Sequence, residues 1–482
     1  MEVLDLHEVS MGENILKDVL ANRYASKSMR DIWAPESKII MERKLWLAVL
    51  RAQIASGLES LSADVDKYEK VLEKVDLQSI ERRERESRHD VKARIEEFNA
   101  LAGAQSIHLG MTSRDLTESV EAVQIRDSLQ LTHRNTLSLL QLLTLRANEF
   151  KDLVIVGRSH NVPAQLTTLG KRFATIIEEM LFAVARVEEL IARFPLRGLR
   201  GPVGTAQDMT DLIGVESRER VEKALAQELG FEKVLDSTGQ IYPRSFDFDV
   251  ISSLVQLGAG PSNLATTLRL MAGAGLVTEG FKEGQIGSSA MPHKVNARSS
   301  ERVNGLMVVL RGHLSMIGEI SGDQWNEGDV SCSVVRRVAI PGAFFALDGI
   351  FQTSATILNE MRVFSGRIDR EVHENLPFLA TTRLLTEAVK KGMGREDAHK
   401  LIRKYSLEAM DRLNQGLDSN FVASLGQDSN FPLSADEIAS LVANPSTFTG
   451  DASMQVDRVV SRVRELTARH PYSGQRDFEE II

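Results

Sequence analysis

MTSRDLTESVEAVQIRDSLQLTHRNTLSLLQLLTLRANEFKDLVIV, residues 111–156, contains neither glycine nor proline. Within it Leu116, Val120, Val123, Leu129, Leu137, Leu140 and Leu143 advance in helical steps, so the stretch predicts one long helix. Even thirty such residues would span about 45 Å, a rod longer than a small domain is wide. Four more long helices are expected on either side of the glycine-rich loop described below. One runs from Gln165 to Phe194, broken only by Gly170 and stopped by Pro195. Another runs from Phe246 to Phe281 with an interruption at the patch from Gly258 to Pro261, and the last two run from Glu301 to Ile320 and from Val330 to Met361. Period-two alternation is scarce, so no sizeable sheet is required. The reading is all-α, with an elongated central helical bundle. Its apolar stripes are broad, which points to packing against other chains.

Outward from this rod the chain divides into three segments. Residues 1–112 read as an N-terminal helical domain, 113–368 as the bundle domain and 369–482 as a C-terminal domain of shorter helices. The run ERRERESRHD, residues 81–90, alternates charge sign and reads as a solvated helical face. In all, 43% of the 482 residues are hydrophobic and 26% charged, which excludes a disordered chain. The net charge of −9 argues against a general nucleic-acid binder. Any anionic substrate must instead meet a local cluster of Arg and Lys. A single cysteine, Cys332, excludes an internal disulfide framework and fits a reducing, cytoplasmic setting. The N-terminus lacks a secretory pattern, and the longest uncharged stretch, from Val250 to Leu268, is too polar for a lipid-exposed span.

One segment breaks the periodic pattern. Residues 284–300, GQIGSSAMPHKVNARSS, have the composition of a loop, yet they carry Lys294, Arg298 and the paired hydroxyls Ser288 and Ser289. Composition alone favours a plain surface connection. Against that, Gly287, Ser288, Met291, Lys294 and Asn296 form the spaced pattern G-S-x-x-M-x-x-K-x-N.

These residues resemble the fumarase/aspartase superfamily, whose members cleave C–N or C–O bonds with loss of fumarate. The form SSAMPHK is most similar to the adenylosuccinate lyase family, its actinobacterial members above all. Arg23-Tyr24-Ala25, Arg88-His89-Asp90-Val91, Thr112-Ser113-Arg114-Asp115 and Gly157-Arg158-Ser159-His160 resemble further motifs of that family, as do Gly201 to Thr205 and Gln240 to Arg244. The resemblance runs from about Arg23 into the C-terminal third. It implies a three-domain fumarase/aspartase-like fold and a mobile catalytic loop over 284–300. It also implies a homotetramer whose active sites are shared between chains. The implied reaction is β-elimination of fumarate from adenylosuccinate, giving AMP, and from the succinylated aminoimidazole carboxamide ribotide, giving its carboxamide.

Such an elimination needs a base for the proton beside a carboxylate, positive charge for the resulting anion and an acid for the departing nitrogen. By resemblance Ser288 is the base and His160 the acid. Lys294 and backbone N–H groups near Gly287 would favour the serine's ionised form. His89 binds and orients, with Arg88 and Asp90 beside it, and Glu301 orients a histidine. Thr112 and Ser113 bind the succinyl carboxylates, although Thr-Ser-Arg-Asp is also a good helix start in its own right. By the same resemblance Gln240 and Ser289 bind substrate, Asn296 supplies an amide for a substrate carboxylate, and Arg23, Tyr24, Ser333 and Arg337 lie on the nucleotide side. The other histidines (His7, His108, His133, His293, His313, His373, His399 and His470) read as structural or surface residues.

Two departures from the family stand out. Its M-P-x-K-x-N-P loop has Ala297 in place of the last proline, and its W-x-x-R-D pattern becomes Trp325-Asn326-Glu327-Gly328-Asp329. With Gly328 providing no cation, Arg336, Arg337 or another residue must hold the phosphate. The sequence has neither a P-loop nor a dinucleotide fingerprint, and no spacing typical of metal ligands. No cofactor or metal is expected, and the partners are small nucleotides, with neither nucleic acid nor membrane. The competing readings are another fumarate-releasing lyase, such as argininosuccinate lyase, and a non-catalytic helical scaffold.

Overall fold

The computed structural model describes residues 18–280, 291, 294–329, 331–470 and 478–479. The N-terminal part comprises α1 (Val19–Tyr24), α2 (Lys27–Trp33), α3 (Pro35–Ile54), α4 (Ser62–Glu69), α5 (Leu77–Ser87) and α6 (Asp90–Ala102). Then come α7 (Ser113–Glu149), strands β1 (Val154–Ser159) and β2 (Val162–Thr168), and α8 (Leu169–Arg193). Two shorter helices, α9 (Gln207–Ile213) and α10 (Val215–Glu228), lead to α11 (Ser245–Gly273) and β3 (Val277–Thr278). The last long helices are α12 (Arg298–Ile320) and α13 (Ser331–Glu360), followed by β4 (Arg362–Val363). The remainder is α14 (Ser365–Leu379), α15 (Thr381–Lys390), α16 (Arg395–Asn414), α17 (Phe421–Gln427), α18 (Ala435–Val442) and α19 (Ala452–Ala468).

The five expected long helices are α7, α8, α11, α12 and α13. At 37 residues α7 is about 55 Å long. Contacts along its length give the bundle its direction. Arg114 meets Ser333 at one end and Arg146 meets the Leu358 carbonyl at the other, so α13 runs parallel to α7. Arg244, just before α11, meets Glu118, while Val277 beyond α11 pairs with Val363 beyond α13, so α11 runs the same way. α8 returns antiparallel, from the Gly170 contact with Phe150 back to the Arg197–Asp115 pair. α12 also returns, with Asn304 on Ser262 and Gly318 near Phe248.

Leu129, Leu140, Ile177, Leu254, Leu257, Leu310, Phe344 and Leu347 fill the seam of this bundle and are fully buried. Each contributes about 1.5–3 kcal/mol by leaving water. The same core takes in Ala25 and Met29 from one end of the chain and Val456, Val460 and Val463 from the other. Trp46, Tyr68, Phe98 and Leu116 centre a second core, and Leu384, Phe421, Leu425 and Ile438 a third.

Three expectations require correction. The helix expected to reach Phe281 ends at Gly273, where the chain turns into β3 to pair with β4. The patch from Gly258 to Pro261 does not interrupt α11, which continues through it. Its glycines mark close packing: a Cβ on Gly258 would stand 3.0 Å from Met307 Sδ, and one on Gly260 would stand 2.8 Å from Met180 Cγ. The segment before α8 is also not helical from Gln165. It forms an antiparallel hairpin of β1 on β2, turned by His160 and Asn161 with φ of 52° and 63°. Two consecutive positive φ values are what a tight two-residue hairpin turn requires, and the asparagine suits the second position.

Candidate active site

The described motif residues gather at two ends of the bundle. At the α7 N-terminus, Thr112 caps the helix and its N–H donates to Asp115 Oδ2 at 2.8 Å. The other carboxylate oxygen of Asp115 accepts from Arg197 Nη1 at 2.6 Å, Arg200 N at 2.8 Å and Gly201 N at 3.0 Å. One buried carboxylate thus ties Thr112 and Ser113 to the loop that begins Gly201-Pro202-Val203. The helix start and the family motif are the same structure.

Beside it, Arg88 ends α5 in the left-handed region at φ 51°, and His89 caps α6. His89 Nδ1 accepts from Lys92 N at 3.2 Å, which leaves the imidazole proton on Nε2, pointing away from the helix. Asp90 lies 3.9 Å from that Nδ1, too far for a hydrogen bond, so it is the helix start that orients the ring. Burial alone would raise the Asp90 carboxyl, but Arg94, the Val91 N–H, Arg337 and His89 outweigh it and hold it below the usual carboxylate range.

The two neighbouring arginines of α13 differ sharply. Arg336 is buried, with Nε on Asp247 Oδ2 at 2.8 Å and its other nitrogens on Glu121 and the Tyr242 hydroxyl. Burial disfavours its charge, but Asp247, Tyr242, Glu121 and Glu118 more than restore it. Burial likewise works against Glu121, yet Arg336, Lys38 and Arg244 bring that carboxyl down to about 2. Arg336 is therefore spent on structure. Arg337 is 64% exposed and donates only to Asp90 among the described residues. It borders a cavity of about 440 Å³ that also takes in Arg30, Trp33 and Lys38. Ser333 accepts from Arg114 Nη2 at 2.6 Å. Gln240, half-buried, donates its N–H to the Glu327 carbonyl at 2.6 Å, and Gly328 at φ 147° packs over it.

At the opposite end of the bundle the His160 side chain is exposed on its hairpin. The hairpin is held by an ion pair from Arg158 to Glu371 on α14. Lys294, Asn296 and Glu301 line a groove of about 590 Å³ together with Arg269 and Leu270 of α11. A second groove, of about 420 Å³, has Leu270 in common and reaches Asn161 of the hairpin. Lys294 and Asn296 therefore share one end of the bundle with the motif from Gly157 to His160. Ser288 and Ser289 lie outside the described residues. Glu301 is exposed in the first turn of α12 and meets no histidine among the described residues of its own chain.

Arg23 and Tyr24 close α1 farther along the bundle. Tyr24 packs against Gly349, where a Cβ would come within 3.0 Å, and the Arg302 guanidinium stands 5.9 Å from its ring centroid. Arg302 was not singled out in the sequence, although it directly follows Glu301. From the sequence His108 reads as a structural residue. Its Nδ1 accepts from the Trp46 indole at 2.9 Å, and burial, against a smaller opposing pull from Asp115, brings its pKa to about 4. It therefore stands as a neutral imidazole four residues before Thr112. No sequence signal separates these two residues from ordinary surface groups, because their neighbours come from distant segments.

Comparison with known proteins gives the same picture. A family model described as lyase matches residues 15–312, and one described as adenylosuccinate lyase C-terminus matches residues 377–459. Adenylosuccinate lyase of Saccharomyces cerevisiae is 33% identical over 451 residues, covering 92% of this chain and 93% of that protein. The Pyrococcus abyssi protein of the same name is 28% identical, covering 93% of this chain and 98% of the relative. Among solved structures, 3-carboxy-cis,cis-muconate lactonizing enzyme from Pseudomonas putida superposes with a TM-score of 0.81 at 20% identity, covering 94% and 100% of the two chains. A fumarate lyase from Mesorhizobium gives 0.78 at 19% identity, covering 91% and 98%. At those identities the match establishes the fold.

Proposed function

The chain belongs to the adenylosuccinate lyase family, and on that premise we propose that it eliminates fumarate from adenylosuccinate and from the succinylated aminoimidazole carboxamide ribotide, two steps of purine biosynthesis in the cytoplasm. In this account Ser288 takes the proton from the carbon beside a succinyl carboxylate. Lys294 and Asn296 stabilise the dianion that forms, and His160 protonates the departing nitrogen. His89 orients the substrate beside Arg88 and Asp90, while Thr112, Ser113, Gln240 and Ser289 hold its carboxylates. Arg23, Tyr24, Ser333 and Arg337 take the nucleotide, with Arg337 in the role of the cation that Gly328 cannot supply.

The observation that carries the reading is the contrast in exposure at the two ends of the bundle. Arg88, His89 and Arg337 at one end, and His160, Lys294 and Glu301 at the other, are open to solvent, while Arg336 and Arg197 beside them are buried in ion pairs. The two exposed sets are separated by most of the roughly 55 Å of α7, too far for one substrate to touch both. We therefore place the active site between chains of a homotetramer, each site drawing its motifs from different copies. Exposed apolar residues on the bundle helices support that assembly, among them Phe182, Leu270, Val308 and Val334. The test is the ultraviolet change on adding purified protein to adenylosuccinate. A failure there, combined with turnover of argininosuccinate, would overturn the assignment.

A further inference from the structure

Three ligand-type side chains that lie far apart in the sequence meet in the middle of the fold. His133 stands on α7, Glu188 on α8 and His470 just past the end of α19. The Nε2 atoms of His133 and His470 lie 3.0 Å and 2.9 Å from the same oxygen, Oε1 of Glu188. The two rings meet edge-on, 4.8 Å between centroids and 70° between planes. His133 is buried and the other two are half-buried. Along α7 His133 is about 30 Å from Thr112, so the cluster lies away from the motif at that end of the bundle.

As a purely hydrogen-bonded group, this would be two neutral imidazoles donating to one carboxylate oxygen. The ion pairs that Glu188 makes among the described residues are both with these histidines, and Arg134 and Arg469 line the same cavity. Two imidazole nitrogens and a carboxylate oxygen are a donor set that suits zinc-type ions. Around a tetrahedral ion with bonds of about 2.0–2.1 Å, ligand atoms stand roughly 3.4 Å apart. The observed N···O distances need to widen by under about half an ångström. The ligand atoms all lie within 4.8 Å of one another, so turning His470 brings its nitrogen into range. On binding, each imidazole presents Nε2 as an acceptor and carries its proton on Nδ1. The group opens on a cavity of about 900 Å³ that Asp127 and Gln130 also line, leaving room for water as a fourth ligand.

We propose that His133, Glu188 and His470 form a binding site for a zinc-type divalent ion, separate from the reaction centre, that clamps the last helix α19 onto α7 and α8. The site was invisible in the sequence because its ligands are 55 and 282 residues apart.

The experiment uses the untagged full-length protein, stripped with chelator and titrated calorimetrically with zinc chloride, with cobalt chloride as a spectroscopic probe. The expected result is one saturable ion per chain and a melting temperature that rises with zinc. His470→Gln should weaken binding by at least about 100-fold, since even residues behind a metal ligand cost 10–100-fold. It should also abolish the melting shift and leave fumarate release unchanged. Absence of saturable binding, or an affinity and stoichiometry unchanged in His470→Gln, would overturn the proposal and leave a hydrogen-bonded triad. If that variant misfolds, cobalt decides: intense four-coordinate bands in the wild-type protein support the site, and a weak six-coordinate spectrum refutes it.

Discussion

The Arg337 guanidinium donates to the Asp90 carboxylate at 3.1 Å, joining the start of α13 to the start of α6 across 247 residues of chain. Among the described residues Arg337 is an exposed cation near the Gly328 departure and remains open to a ligand. Arg337→Ala should raise KM more than it lowers kcat, because a phosphate is remote from the bond being broken. Loss of one charged contact predicts a fall of about 10–100-fold in kcat/KM. Thermal stability should barely move, since exposed ion pairs contribute about 0–1 kcal/mol. Steady-state kinetics and a melting curve check both parts.

Arg336 should behave in the opposite way. Its removal leaves Asp247 and Glu121 without their buried partner. Arg336→Ala should cost about 3–5 kcal/mol of folding stability, read from the urea midpoint. Stability unaltered beside a large rise in KM would reverse the roles given to the two arginines.

His108 predicts a pH dependence. Burial holds the folded imidazole at about 4, against an ordinary value of 6.5. Between these values the unfolded chain binds a proton that the folded chain refuses. This part of the stability is fully present above about pH 6.5 and is lost as pH falls towards 4. The gap corresponds to about 3 kcal/mol. His108→Asn tolerates the local φ of 66° and carries no titrating ring. Denaturation at pH 7 and pH 5 should show a smaller acid loss in the variant than in the wild-type protein.

Restoring the family arginine at Gly328 should not help. The backbone there has φ 147°, and a Cβ would stand 3.2 Å from Gln240 Cβ. Gly328→Arg should lose about 1–3 kcal/mol of stability and gain no substrate affinity. Tighter binding in a titration with AMP would show that the segment relaxes more readily than its packing implies.

Much of this architecture was legible in the residues. The helix α7 is readable because its apolar steps run without a glycine or proline, so period and length agree. The β1–β2 hairpin was missed because its two short strands sit between long helical patterns, and its turn falls on His160 and Asn161, not on a glycine. The patch from Gly258 to Pro261 was misread because a glycine that admits a neighbouring helix looks the same in sequence as one that ends a helix. The candidate site motifs rest on family resemblance, and local physics alone leaves His160 a surface residue. Sequence reading puts Arg337 on the nucleotide side by resemblance and keeps Arg336 as an alternative phosphate ligand, and burial is what separates the two. Arg302 and the His133–Glu188–His470 group depend on neighbours from distant segments, which no local pattern encodes.

The central claim is that each active site combines motifs from different chains. Subunit exchange between inactive His89→Ala and His160→Ala proteins tests it directly. In an equal mixture each motif of a site is intact half the time, so about a quarter of sites (~25%) should recover fumarate release. No recovery, with exchange of subunits demonstrated by mass spectrometry, would contradict the shared site.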